Sequence, residues 1–146
     1  MENKITSVGF ALTKISTEQY ALIEDGFSEN GNITVVTNFR FGASDKQKLI
    51  AFFSNFTFES DQKPFIVIEA GCHFVIEETA WSQMYNSETN SLIVPKGLIS
   101  HFAMLTVGTS RGILHTKTEG TKFNKYVLPT INVSELIKED VIFKFD

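Results

Sequence analysis

Cys72 and His73 are neighbours, and a thiol beside an imidazole is the pair that a cysteine nucleophile needs. Their setting forbids it. They fall in a period-two run over 64–77, where adjacent side chains point to opposite faces. Cys72 shares its face with Ile66, Ile68, Ala70, Phe74 and Ile76 and reads as a buried structural thiol. His101 and His115 are the other imidazoles. Set in one helix they stand ~21 Å apart at 1.5 Å per residue, too far to share a metal. No local ligand spacing joins His73 to either. Ser100 precedes His101, yet i,i+1 residues on a helix do not face each other. Glu77 and Glu78 straddle a strand and read as solvated charges rather than a general acid and base. No nucleophile elbow, phosphate loop or dinucleotide fingerprint occurs. These residues point away from an enzyme, and no cofactor and no metal is expected.

Composition narrows the remaining classes. The chain has 146 residues, which suits one domain spanning 1–146. Hydrophobic residues make up 42% and charged residues 21%, too apolar for a disordered chain. The net charge of −4 disfavours a nucleic-acid partner, since polyanion binders are normally basic. A single cysteine excludes an internal disulfide framework. The first residues carry no long apolar core, so no signal peptide is expected. No run approaches 18 apolar residues, so no membrane insertion is expected and the chain reads as cytoplasmic. Phenylalanine is the outlier, with 14 occurrences. Aromatic side chains dominate cores and interfaces. Either the core is rich in phenylalanine, or aromatic surface is left over for an oligomer contact or a client groove.

The elements that must position these residues follow from periodicity. In 33–41 the residues Ile33, Val35, Thr37, Phe39 and Phe41 point one way. In 48–59 Ile50, Phe52, Ser54, Phe56 and Phe58 share a face, and 64–77 forms a third long strand. Short spacers make these antiparallel hairpins. An earlier strand or strand pair is expected over 5–23, from Ile5 through Phe10, Ile15 and Tyr20 to Ile23. The period then changes. Pro95 opens a helix over 95–116, which Gly108 and Gly112 weaken locally by up to ~1 kcal/mol each. Asn132 to Glu135 resembles a capping box for a short helix over 133–138. Residues 141–145 suit a short strand or an apolar tail. Strands first and helices last give an α+β domain. Residues 78–94 read as a long loop carrying Trp81, Met84 and Tyr85, and long loops in compact domains are often functional.

Four segments in this order carry a resemblance. Pro64-Phe65-Ile66-Val67 leads through Gly71 to Phe74-Val75-Ile76. A crossover over 78–94 follows, then the proline-opened helix through His101, Thr106 and Arg111-Gly112. Last comes Leu128-Pro129-Thr130-Ile131-Asn132-Val133. From Lys63 to Ile137 the chain resembles the SecB-like protein-export chaperones, of which it looks like a divergent member. The N-terminal half matches in strand order, with Thr13-Lys14-Ile15-Ser16 in its first strand.

The resemblance implies a four-stranded antiparallel sheet with two C-terminal helices on one face. It implies an ATP-independent holdase that binds unfolded or pre-secretory polypeptide and works as a dimer or dimer of dimers. By matching position, the client groove draws on Phe74, Ile76, Trp81, Met84, Tyr85, Leu92 and Ile93. A translocase motor is the family's further partner, met through acidic residues on the open sheet face. Only Glu69 answers to these here, and no acidic tail precedes Asp146, which favours a dedicated client such as an antitoxin over motor binding. A small-ligand module closed by 78–94, and an oligomeric scaffold, are the readings from other classes.

Overall fold

A computed structural model describes residues 9–146. Ile5, expected at the start of the first strand, lies outside the described residues. The chain is α+β. Strand β1 is Phe10–Leu22, β2 is Ile33–Ser44, β3 is Leu49–Ser60 and β4 is Lys63–Ile76. They form one antiparallel sheet in the order β1-β4-β3-β2. The second to fourth strands run as a meander, and β1 returns beside β4 in Greek-key fashion.

The alternation of the sequence sets the two faces. Ile50, Phe52, Ser54, Phe56 and Phe58 of β3 are all buried. So are Ile66, Ile68, Ala70, Cys72, Phe74 and Ile76 of β4. Register brings the two rows together, with Phe52 opposite Cys72, Phe56 opposite Ile68 and Phe58 opposite Ile66. This face is covered by helix α2, Lys96–Lys117, whose Ile99, Phe102, Ala103, Thr106, Val107, Ser110 and Leu114 are buried. Phe102 stacks on Phe74 with ring centroids 4.0 Å apart, and Phe10 meets both edge-on. A buried polar contact also ties helix to sheet. The hydroxyls of Ser54 and Ser110 lie 2.7 Å apart, and Ser110 donates onward to the Thr106 carbonyl. A buried hydroxyl of this kind costs free energy unless it is bonded.

The span 78–94 is not a loop. It holds helix α1, Glu78–Met84, then strands β5, Tyr85–Asn86, and β6, Ser91–Val94. These elements are two to seven residues long, too short for periodicity to separate them from a loop. The residues 141–145 resolve into strand β7, Val141–Lys144, and a second sheet forms in the order β5-β6-β7. Helix α3 is a single turn, Val133–Leu136, where a helix over 133–138 was expected, and the Asn132 side chain does not cap its amides. Two C-terminal helices on one sheet face therefore become one long helix, one short turn and a small added sheet.

Pro95 precedes the first turn of α2, and no side chain of its own caps the helix. The cap comes from far along the chain, where Asp140 Oδ1 accepts the Lys96 amide at 2.9 Å. A carboxylate there also suits the positive end of the helix.

Candidate functional site

The seven residues expected to line a groove divide into two groups. Phe74, Ile76, Trp81 and Leu92 are buried, and their place in an open groove is corrected to a place in the core. The physical reason lies in the short elements that replace the loop. Helix α1 turns Trp81 inward until it is 2% exposed, where Nε1–H donates to Asp45 Oδ1 at 2.9 Å. The Lys48 ammonium lies 5.6 Å from its ring and Phe145 stacks on it at 6.2 Å. Leu92 pairs with Tyr85 on one side and Phe143 on the other. Trp81 thus fastens α1 to the turn between β2 and β3.

Met84, Tyr85 and Ile93 do meet at the surface. With Asn86, Glu88 and Pro95 they line an open depression beside β5 and β6. The Tyr85 hydroxyl donates to Asn90 Oδ1, which fixes the ring along one wall. Ile93 is exposed, as is Ile142 opposite it in register.

A second depression was not foreseen. It lies between β2 and the segment after α3, and Phe39, Phe41, Leu136, Ile137 and Val141 give it an apolar lining. Lys138, Glu139 and Asp140 stand at its rim. Phe39 and Phe41 are held edgewise or tilted against the buried Phe52 ring, at 5.2 and 5.7 Å. Alternation had marked these two phenylalanines. The residues facing them from 136–141 carry no pattern of their own.

This depression adjoins a free strand edge. β2 ends the sheet. Its pairing with β3 runs unbroken from Ile33↔Ser60 to Ser44↔Leu49. The other edge, β1, is interrupted by register shifts between Leu12 and Lys14 and between Thr17 and Gln19. Bulges of this kind twist an edge away from pairing, and β2 carries none. Its outer amides and carbonyls have no backbone partner among the described residues.

The open face of the large sheet is built around Phe53. Its ring lies against Gly71, where an added Cβ would come within 2.5 Å of the ring. The Arg40 guanidinium covers the other side at 3.9 Å. Arg40 Nε also donates to Glu69 at 3.0 Å, and Glu18 stands 3.8 Å from Nη2. The Ser16 hydroxyl beside Gly71 is buried without a partner among the described residues. His73 meets Phe53 edge-on. Burial lowers the His73 pKa, Lys14 lowers it further, and Glu18 opposes them. Burial raises that of Tyr20.

Cys72 is buried and its thiol donates toward Thr109 Oγ1 at 3.7 Å, while His73 stands on the opposite face. His101 packs on the Phe10 ring at 5.7 Å. Among the described residues no three His, Cys, Asp or Glu side chains are grouped to hold a metal ion. No helix there is long and apolar enough to cross a membrane. No protein-family model matches the chain, and no curated protein matches it in sequence.

Proposed function

We propose that the protein is an ATP-independent holdase of the SecB-like kind, acting in the cytoplasm on unfolded or pre-secretory polypeptide. The observation that carries this reading is the unbroken free edge of β2 beside an apolar depression. An extended client segment adds to that edge as a further strand. Backbone hydrogen bonds supply sequence-independent affinity, and alternate side chains enter between Phe39, Phe41 and Leu136. Each Å² of apolar surface so buried contributes about 25 cal/mol. The depression at Met84, Tyr85 and Ile93 offers a second patch of the same character. Both depressions are open to solvent, which weighs against a small-ligand site, since such sites enclose most of their ligand.

Self-association belongs to the same reading. Leu12 and Ile15 of β1 are exposed on the helix side of the sheet, and Met104 and Leu105 of α2 are exposed as well. Between β1 and α2 lies an open groove with Gly108 and Gly112 in its lining. Exposed apolar surface of this kind suits a second copy in an isologous dimer. A translocase motor is left out of the reading. On the open face Glu69 is bonded to Arg40 and Glu18 stands beside the same guanidinium, so the pair gives a basic partner little free charge.

The test is light scattering from a chemically denatured protein diluted into buffer without ATP. Addition of this chain at stoichiometric amounts is expected to suppress the scattering. Unchanged scattering against several denatured proteins would overturn the general holdase reading.

A further inference from the structure

Strand β7 sits in the small sheet more as a guest than as a founding member. It pairs with β6 over four residues only, from Ser91↔Lys144 to Val94↔Val141. None of its residues is fully buried, and Ile142 is 59% exposed. Its inward side chains nevertheless cover apolar surface. Phe143 lies opposite Leu92 and edge-on to Phe41 at 6.0 Å, and Phe145 lies on Trp81. Beneath them Trp81, Leu92 and Val94 are buried. Clasps hold both ends. Asp140 accepts the Lys96 amide at the start of α2. Asn90 accepts the Phe145 amide through its carbonyl at 2.9 Å and donates its side-chain amide to the Phe145 carbonyl at 3.1 Å.

We infer that the trough beneath β7 is a strand-binding seat, filled in cis by β7. Its second occupant is an extended segment of an unfolded foreign chain with apolar residues at alternate positions. Val141, Phe143 and Phe145 spell out that ligand chemistry, and β6 supplies the backbone groups that such a segment pairs with. A short peripheral strand opens locally at a small fraction of the free energy of global unfolding. A second copy of this chain is the weaker occupant. Reciprocal exchange of β7 between two copies would only rebuild the four pairs that each copy already makes within itself. No strain drives such a swap. Among the described residues the non-glycine ones with left-handed backbone are Lys48, Asp61, Gln62 and Asn90, and none lies between α3 and β7. The inference does not rest on the holdase reading, because strand exchange and suppression of scattering are measured separately.

The test uses the full chain carrying Ile93→Cys and Ile142→Cys. These positions face each other across β6 and β7, within disulfide reach for cross-strand neighbours, and Cys72 is buried away from them. The probe is a fluorescein-labelled peptide with the sequence of residues 139–146. The reduced chain is expected to bind it, and oxidation to weaken that binding by about tenfold or more, the equivalent of ~1.4 kcal/mol. Equal binding by both forms would overturn the proposal. A disulfide that links two chains instead of closing within one would assign the seat to a second copy and overturn it as well. The variant Phe145→Ala gives an independent measurement. Loosening the strap is expected to tighten probe binding, and unchanged or weaker binding would contradict the inference.

Discussion

At the scale of single residues, the centre and the β2 edge of one sheet face, the face that α2 covers, separate stability from binding. Phe102 is buried against Phe74 and Phe10, so Phe102→Ala leaves a cavity that costs about 3–5 kcal/mol. Phe41 is exposed at the β2 edge, and Phe41→Ser removes little core. Denaturant unfolding is expected to shift strongly for the first variant and little for the second. Retention of an unfolded client is expected to fall for Phe41→Ser. His73 gives a pH signature. Its folded pKa is below the ordinary 6.5, so the unfolded chain binds the proton more readily. Stability conferred by the neutral ring is full above that value and is lost as pH falls through it. His73→Gln is expected to flatten the stability–pH curve as pH falls below 6.5, as measured by denaturant unfolding.

At the scale of elements, α2 combines two demands that conflict within one helix. Gly108 and Gly112 each cost helix stability, and an added Cβ at either would meet nothing within 4 Å. Gly108→Ala and Gly112→Ala are therefore expected to stabilise the monomer by up to about 1 kcal/mol each. If the groove against β1 seats a second copy, the same changes weaken self-association, which sedimentation at several concentrations measures. A gain in stability without any change in association would remove this groove from the interface. Long elements such as α2 were legible in the sequence because several turns of periodicity accumulate. The strands β2, β3 and β4 were legible through clean alternation, down to which residues face the helix, except at Phe65, which alternation puts on the open face and which is buried in the core beside the register shift at Phe58 and Glu59. The span 78–94 was not legible. Its helix and two strands are each too short to repeat a pattern, and a helix of seven residues resembles an aromatic loop in composition. A loop there would leave Trp81 and Leu92 free to line a groove, whereas the short elements bury both. Register, invisible in the sequence, also brought 136–141 against Phe39 and Phe41 and so made the second depression.

At the scale of the whole molecule, the excess of aromatic residues is largely spent indoors. Phe52, Phe56, Phe65, Phe74, Phe102 and Phe123 are all buried, so the count of phenylalanines alone does not demand a client groove. What distinguishes the surface is the asymmetry of its two sheet edges. β1 is bulged, and β2 pairs with β3 without a register shift and is open on its outer side. Natural sheets usually blunt such an edge, because it recruits other chains. An edge kept open beside Phe39, Phe41 and Leu136 is the feature that a binder of extended polypeptide requires. The outward amides of β2 report on this directly. Amide hydrogen exchange of the full chain, with and without a permanently unfolded polypeptide in excess, resolves them residue by residue. Client addition is expected to slow every second amide between Ile33 and Ser44, those not bonded to β3. Exchange along β2 that stays unchanged while the client is bound would contradict the account.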